Sequence, residues 1–342
     1  MPPLMRTLIV GAGALGGLVA ARLQAAGAPV HLAVRDRASA EKLSARGLAV
    51  SGVGGSVRVE APHVAPLDAY PSGIAFDLVL LATKAHQATE LAPTVVPWLA
   101  PEGTLLPIQN GAVSELLADR LGTDRVLGGI SNLGATMHAP GVYEQRNAGH
   151  LLVGELGGGE SARADRVRSW LGRGVEVRGT PNLRGAVWSK LLLNCSVTTL
   201  GAVAGCTMRA YVGTPEGRTA FDRAYDEALA VALASGARPE RMMVEPVPPG
   251  WNGRNVPGEL HEAWLARVLA SYGDLKPSML QDFEAGRATE VDFINGHVVA
   301  LGHRLGVPTP ANAAIVEIVH AITAGRLSPD PAHLGRIARA PS

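Results

Sequence analysis

The chain has only two cysteines in 342 residues, Cys195 and Cys206, too few for a disulfide framework. Set eleven positions apart, they match neither a Cys-x-x-Cys pair nor a Cys/His metal spacing. Free thiols in a reducing compartment are expected, and no metal. An excess of either charge is also missing. Against 31 Lys and Arg stand 30 Asp and Glu, a formal net charge of +1, which argues against binding nucleic acid or membrane through a broad basic face. No run of eighteen apolar residues occurs, and no charged segment followed by a long apolar stretch opens the chain. Neither a membrane association nor a leader is expected, and a cytoplasmic location follows as the default. Aromatics make up 4% of residues, and neither internal repeats nor low-complexity segments are present. The length suits about two domains with separate cores.

What is present begins near the N-terminus. The apolar run Leu8-Ile9-Val10 enters Gly11-Ala12-Gly13-Ala14-Leu15-Gly16 and then an alanine-rich helical pattern to Ala26. A strand, a Gly-x-Gly-x-x-Gly turn and a helix in that order form a dinucleotide site. Gly11 permits the tight turn, Gly13 lets the backbone approach a pyrophosphate, and Gly16 lets helix and strand pack closely. The free N–H groups of the first helical turn, at Ala14 and Leu15, attract the phosphates. The blander alternative is a tight strand-to-helix turn without a ligand.

About twenty residues further on, dinucleotide units that select NAD place an acid on the ribose 2′-hydroxyl. Here the second apolar run, 30–34, ends in Arg35-Asp36-Arg37. Two guanidiniums there can pair with a 2′-phosphate, so NADP is expected over NAD. A solvated basic loop, or Asp36 turned toward a ribose hydroxyl, are the alternatives.

Strand signals fall at 6–10, 30–34, 48–51, 57–60, 77–82, 104–109, 126–130, 142–146, 150–153 and 175–178. Helical patterns fall at 14–26, 38–45, 87–99, 112–121 and 161–172. Alternating strands and helices read as a parallel sheet covered on both faces, ending in a mixed or antiparallel edge. From about 181 onward the pattern is helical. The expected fold class is α/β: a dinucleotide-binding domain over 1–180, an all-helical domain over 181–328 and a fraying tail over 329–342. The segment 245–258 carries four prolines and three glycines and reads as a solvent-exposed insertion or a substrate lid.

Chemistry in an open parallel sheet lies beyond the carboxyl ends of its strands. Two motifs fall there: Thr83-Lys84, where Lys84 can hold an anionic group or a ribose, and Gln109-Asn110-Gly111, where Asn110 offers both donor and acceptor. Each can also be ordinary turn chemistry. Further along, Lys190, Asn194 and Thr198 interrupt an apolar helix at steps of four and so share one face. Burial lowers a lysine pKa toward the range useful for proton transfer; the alternative is a lysine whose stem packs while its ammonium stays in water. Ser278 with Gln281 and Thr289 with Asp292 read as helix N-caps. Glu290 is not needed by that reading and is a candidate charge partner for Lys190.

Together these motifs resemble the ketopantoate reductase (2-dehydropantoate 2-reductase) family over nearly the whole length. They include Trp188-Ser189-Lys190-Leu191, Asn194-Cys195, Ser278-Met279-Leu280-Gln281-Asp282 and Thr289-Glu290-Val291-Asp292-Phe293-Ile294-Asn295-Gly296. The resemblance implies a Rossmann-type domain followed by a helical one, with the active site in the cleft between them. It implies reduction of 2-dehydropantoate to pantoate with NADPH, on the route to coenzyme A. By position, Lys190 resembles the catalytic lysine and Glu290 its assisting acid. Arg35 matches the arginine near the 2′-phosphate, Lys84 and Asn110 the cofactor contacts, and Asn110, Asn194 and Ser278 the substrate contacts. Thr198, also placed against substrate, and Met208 stand near positions where the family carries asparagine, which bears on substrate identity. The alternatives are a reductase of another 2-keto acid within the same family, and a catalytically silent NADP(H) sensor. A homodimer is compatible with this reading.

Overall fold

A computed structural model describes residues 4–71, 73–241 and 258–341. The chain divides into two compact units, the first ending at Leu183 and the second beginning at Arg184.

The first unit contains β1 (Thr7–Val10), α1 (Ala14–Ala25), β2 (Val30–Val34), α2 (Arg37–Arg46), β3 (Leu48–Gly52), β4 (Val57–Val59) and β5 (Val64–Pro66). It continues with β6 (Phe76–Leu81), α3 (Ala85–Val95), β7 (Leu99–Pro107), α4 (Val113–Leu121), β8 (Gly128–Ser131) and β9 (Ala135–Ala139). β10 (Val142–Gln145), β11 (Leu151–Gly154), α5 (Ala162–Leu171) and β12 (Val177–Arg178) complete it. Five strands form a parallel sheet in the order β5-β2-β1-β6-β7. In its register Ile9 lies between Leu32 and Leu80, all three fully buried. Continuous apolar runs such as Leu78-Val79-Leu80-Leu81 are what strands buried on both faces require. Because β1 lies between β2 and β6, strand order reverses at its carboxyl end, where such sheets bind ligands.

The mixed edge expected from sequence is present. A bridge between Leu105 and Val126 leads to β12-β11-β8, in which β8 runs antiparallel to β11. A separate sheet, β4-β3-β10-β9, is also mixed. Two strands were not expected. β5 is three residues long and ends in Pro66, which an edge position tolerates but which hides a strand signal. β9, Ala-Thr-Met-His-Ala, alternates apolar with polar residues over only five positions, but its apolar members are two alanines and an exposed methionine and none of it is fully buried, so the signal is weak.

The second unit holds α6 (Leu183–Leu193), which begins at the boundary, a π-helical turn (Asn194–Thr198), α7 (Thr199–Ala204), α8 (Met208–Val212) and α9 (Pro215–Ala234). α10 (Gly258–Tyr272), α11 (Ser278–Glu284), a 3-10 turn (Val291–Phe293), α12 (Asn295–Leu305), α13 (Pro310–Thr323) and α14 (His333–Ala338) follow. Among the described residues it has no strand. The 20-residue α9 packs against α8, α12, α13 and α14. Its Tyr225 ring meets Trp264 edge-on at 4.9 Å between centroids. Leu183–Ala204 is long and apolar enough to span a bilayer, but 83% of its apolar window is buried inside the protein.

Three expectations need correction here. Ser278 is the first helical residue of α11, Pro277 holds the cap position without a side-chain bond, and Gln281 donates to the Lys276 carbonyl at 3.2 Å. Thr289 does not cap either: Glu290 precedes the 3-10 turn, and Asp292 is paired with His320 at 2.9 Å. The stretch 329–342, expected to fray, carries α14, whose Leu334 and Ile337 sit three apart on one buried face. Arg223 of α9 donates to the Ala338 carbonyl at 2.8 Å, so this segment is docked. The proline-rich segment, read as an insertion or lid, lies outside the described residues up to Pro257.

Candidate active site

In the first unit the glycines of the β1–α1 loop answer to different constraints. Gly11 has φ +107°, and a Cβ there would lie 2.7 Å from Thr83 Cγ2. A Cβ on Gly16 would lie 2.1 Å from the Gly11 carbonyl oxygen and 2.8 Å from Ala82 Cβ. The protein's own packing thus demands both. Gly13 is different, because its φ of −67° suits any residue and a Cβ there meets nothing within 4 Å. No folded-state contact requires that glycine, and at the turn between β1 and α1 this fits a backbone kept bare for a ligand. It stands at the N-cap of α1, whose first turn has no side-chain cap and no acid, so the Ala14 and Leu15 end of the helix presents its N–H groups and positive dipole end. These residues fit a dinucleotide pyrophosphate.

A residue that motif reading missed supports this loop from below. The Tyr143 hydroxyl donates to the Ala12 carbonyl at 3.2 Å, and the ring occupies the space a Cβ on Gly17 would need, 2.0 Å from Cζ. Burial pushes this phenol up to about 12, so it remains a donor. The fourth glycine, Gly17, was the available sequence signal.

At the end of β2, Asp36 caps α2 by accepting from the Ser39 amide at 2.7 Å, and its other oxygen accepts from Arg35 Nε at 2.9 Å. The Ser39 amide, with Arg35 beside it, holds this carboxyl down at about 2. Both carboxylate oxygens are engaged, while Arg35 and Arg37 extend into solvent with side chains 85% and 87% exposed. At the ends of β6 and β7, Gln109 Nε2 donates to the carbonyls of Leu81 at 2.8 Å and Thr83 at 3.0 Å. That amide ties together the two strand ends from which Lys84 and Asn110, both half-buried, emerge. Gln109 was not singled out from sequence.

In the second unit Lys190, Asn194 and Thr198 are the partly exposed positions between Ser189 and Thr199, with every neighbour buried. The polar seam therefore exists, but its backbone is a π turn from Asn194 onward rather than a continuous α-helix. Crowding by the surrounding protein lowers Lys190 to about 8, against an opposing pull from the Glu290 carboxylate. Glu290 is buried, 9% exposed, at the start of the 3-10 turn, so the structure brings Lys190 and Glu290 within electrostatic reach. Ser278 is exposed at the start of α11, where Pro277 packs on Gly201 and α11 touches the π turn. Met208 is fully buried in the helical core. Cys195 and Cys206 are free thiols.

A parallel sheet bearing a bare-glycine loop, joined in one chain to a helical unit with a depressed lysine beside an acid, defines the class of dinucleotide-dependent oxidoreductases. Comparison with known proteins narrows this. Residues 7–158 match the family described as ketopantoate reductase PanE/ApbA, and residues 182–323 match ketopantoate reductase PanE/ApbA C terminal. The chain belongs to the ketopantoate reductase family and is an oxidoreductase of the kind that acts on CH–OH groups. The 2-dehydropantoate 2-reductase of Pyrococcus horikoshii is 28% identical over 319 residues, covering 93% of this chain and 97% of the relative. The crystal structure of a PanE/ApbA family ketopantoate reductase from Ralstonia eutropha JMP134 superposes with TM-score 0.76 at 25% identity, covering 94% and 99% of the two chains. A D-mandelate dehydrogenase solved with NADH and anilino(oxo)acetate shares the fold, with TM-score 0.78 at 22% identity and the same coverage.

Proposed function

We propose that this protein reduces the ketone of a small 2-keto acid, 2-dehydropantoate first among them, with NADPH as reductant and Lys190 as general acid. The observation that carries the reading is Lys190 itself, lowered to about 8 and set near the buried Glu290. At neutral pH such a lysine is mostly protonated, yet its proton is more acidic than that of an exposed lysine. Family membership and relatives named 2-dehydropantoate 2-reductase support the substrate class. NADPH is favoured because Arg35 and Arg37 are exposed at the end of β2, while Asp36 spends both oxygens on the helix cap and on Arg35. The backbone around Gly11, Gly13 and Gly16 would hold the pyrophosphate, with Lys84 and Asn110 as further contacts. When bound, the reduced nicotinamide supplies the hydride.

The chain's own residues do the rest. The Lys190 ammonium donates a hydrogen bond to the ketone oxygen and transfers its proton as negative charge develops there, an interaction stronger in the transition state than in the ground state. Glu290 favours the protonated form of Lys190 before that transfer. Asn194, Thr198 and Ser278 orient the substrate's polar groups.

The test is NADPH oxidation with 2-dehydropantoate, beside a panel of other 2-keto acids and an NADH control. Lys190→Ala should lower kcat about a hundredfold or more while NADPH affinity is kept. Loss of both together would point to a structural lysine and overturn the assignment. A second reading keeps the chemistry and changes the substrate: Thr198 occupies the seam near a place where the family's pattern has asparagine, and selective turnover of a different keto acid would establish it. Tight NADPH binding with no turnover across the panel would favour a sensor and end both readings.

A further inference from the structure

The π turn is held open by specific bonds. Cys195 O accepts from Thr199 Oγ1 at 2.6 Å and from Asn295 Nδ2 at 3.1 Å, and Ser196 O accepts from the Tyr211 hydroxyl at 2.7 Å. Asn295 is fully buried, and its Nδ2 also donates to Asn312 Oδ1 at 2.9 Å. Asn312 donates onward through Nδ2 to Ala224 O at 3.1 Å and to Glu227 Oε2 at 2.9 Å. Glu227 in turn accepts the Ala311 and Asn312 amides at the start of α13, both at 2.9 Å. The orientation of both amides is forced. Carbonyl and carboxylate oxygens only accept, so each asparagine must turn its NH2 toward them.

Asn295 lies five residues after Glu290 and bonds the carbonyl of Cys195, which lies five residues after Lys190. One buried amide thus ties the segment that carries the acid to the helix that carries the lysine, at the turn from which Asn194 and Thr198 project. We propose that Asn295 is a positioning residue for catalysis: its bond to Cys195 O sets the register of the π turn and holds Glu290 and the polar seam in place about Lys190. This rests on the assignment of Lys190 and Glu290 as the catalytic pair. Among the described residues, the charged and titratable groups on and against this stretch are Glu290 itself, Asp292 paired with His320 of α13 at 2.9 Å, His297 against the Trp188 ring at 5.7 Å, Glu227 from α9, and Arg184 on α6, which donates to Ser235 O at 2.9 Å. Glu240 joins them, its backbone amide donating to Ser189 Oγ at 2.7 Å. Of these, Glu290 is the group that acts electrostatically on Lys190.

Asn295→Asp changes one NH2 to oxygen and sets an acceptor against two acceptors at nearly constant volume. The control is Val298→Ala, a cavity in the same helix that touches none of these bonds. Both full-length variants are compared with wild type and Lys190→Ala for kcat and KM, thermal stability, and the pH dependence of Lys190 acetylation by acetic anhydride read by mass spectrometry. The chain has only four lysines, Lys42, Lys84, Lys190 and Lys276, so that site is read separately. Asn295→Asp should lower kcat about tenfold to a hundredfold. Its Lys190 labelling midpoint should move up from about 8 as water relieves the burial that depresses it, and the same rise in the uncharged Asn295→Ser separates this from the charge of a new carboxylate. Val298→Ala should melt earlier with labelling and kcat unchanged. If Asn295→Asp does not accumulate as folded protein, Asn295→Ser, which keeps a donor at shorter reach, is read in the same way. A wild-type midpoint and kcat in the Asn295 variant would overturn the proposal. Full activity in Lys190→Ala would instead overturn the catalytic assignment beneath it.

Discussion

A lysine kept in a crowded site at a depressed pKa should cost the fold stability, and that cost is measurable. In the unfolded chain Lys190 has the ordinary value of 10.5, and in the folded protein about 8. Between these values the unfolded state binds more protons than the folded one, so stability rises with pH across this window and the penalty is fully present below about 8. Each tenfold loss of proton affinity on folding corresponds to about 1.4 kcal/mol, so the penalty at pH 7 is about 3 kcal/mol, falling below about 1 kcal/mol at pH 10. Lys190→Met removes the titrating group while keeping an unbranched apolar stem. Its absolute stability also reflects Glu290 left without its cation, so the change of the difference with pH, and not its size at one pH, is the readout. The difference in unfolding free energy between Lys190→Met and wild type should therefore shift by about 2–3 kcal/mol in favour of wild type between pH 7 and pH 10. Urea titrations at several pH values measure it, and the tyrosines held up near 12, Tyr70 and Tyr143, cancel because both proteins contain them. A difference that stays flat with pH would refute the claim that burial depresses this lysine.

Turnover should follow the same group: reduction should decline above about pH 8 as the Lys190 ammonium is lost, measured as kcat against pH. Gly13→Ala should leave melting unchanged and weaken dinucleotide binding about tenfold or ~1.4 kcal/mol, read by fluorescence titration. Gly16→Ala, whose new carbon would lie 2.1 Å from the Gly11 carbonyl, should instead destabilise the fold by about 1–3 kcal/mol in a thermal melt. Equal behaviour of the two would contradict the different reasons given for the two glycines. Arg35→Glu should raise the Kd for NADPH about tenfold and leave NADH nearly unchanged, by the same titration.

The parts of this protein legible in its sequence are those with a strong local period or a motif with one structural solution. The buried strand before Gly11 announces itself by apolar density. The seam of Lys190, Asn194 and Thr198 stands out because polar residues interrupt an apolar helix. What escaped depends on partners far along the chain. Nothing local marks Val64–Pro66 as a strand; it becomes one because β2 offers an open edge. Ser278 and Thr289 carry cap-like spacing, but Pro277 and Glu290 hold those positions. The Pro- and Arg-rich end reads as a fraying tail until α9 supplies a surface for Leu334 and Ile337. Gln109, Tyr143 and Asn295 act through bonds to backbone carbonyls 26 to 131 positions away, and no periodicity reports such a bond.

The wide turn at Asn194–Thr198 also governs how this chain tolerates insertion and deletion. An α-helix advances about 100° per residue, so removing one residue within 194–198 could return the helix to ordinary winding without opening a loop. The wide turn carries its extra residue locally, so Lys190 before it and Thr199 after it would keep nearly the same mutual orientation, while the widened ring that frees the Cys195 and Ser196 carbonyls for Asn295 and Tyr211 would be lost. A relative one residue shorter here would keep its lysine facing the same way and yet lose the carbonyls that the buried amide and the tyrosine hydroxyl bind.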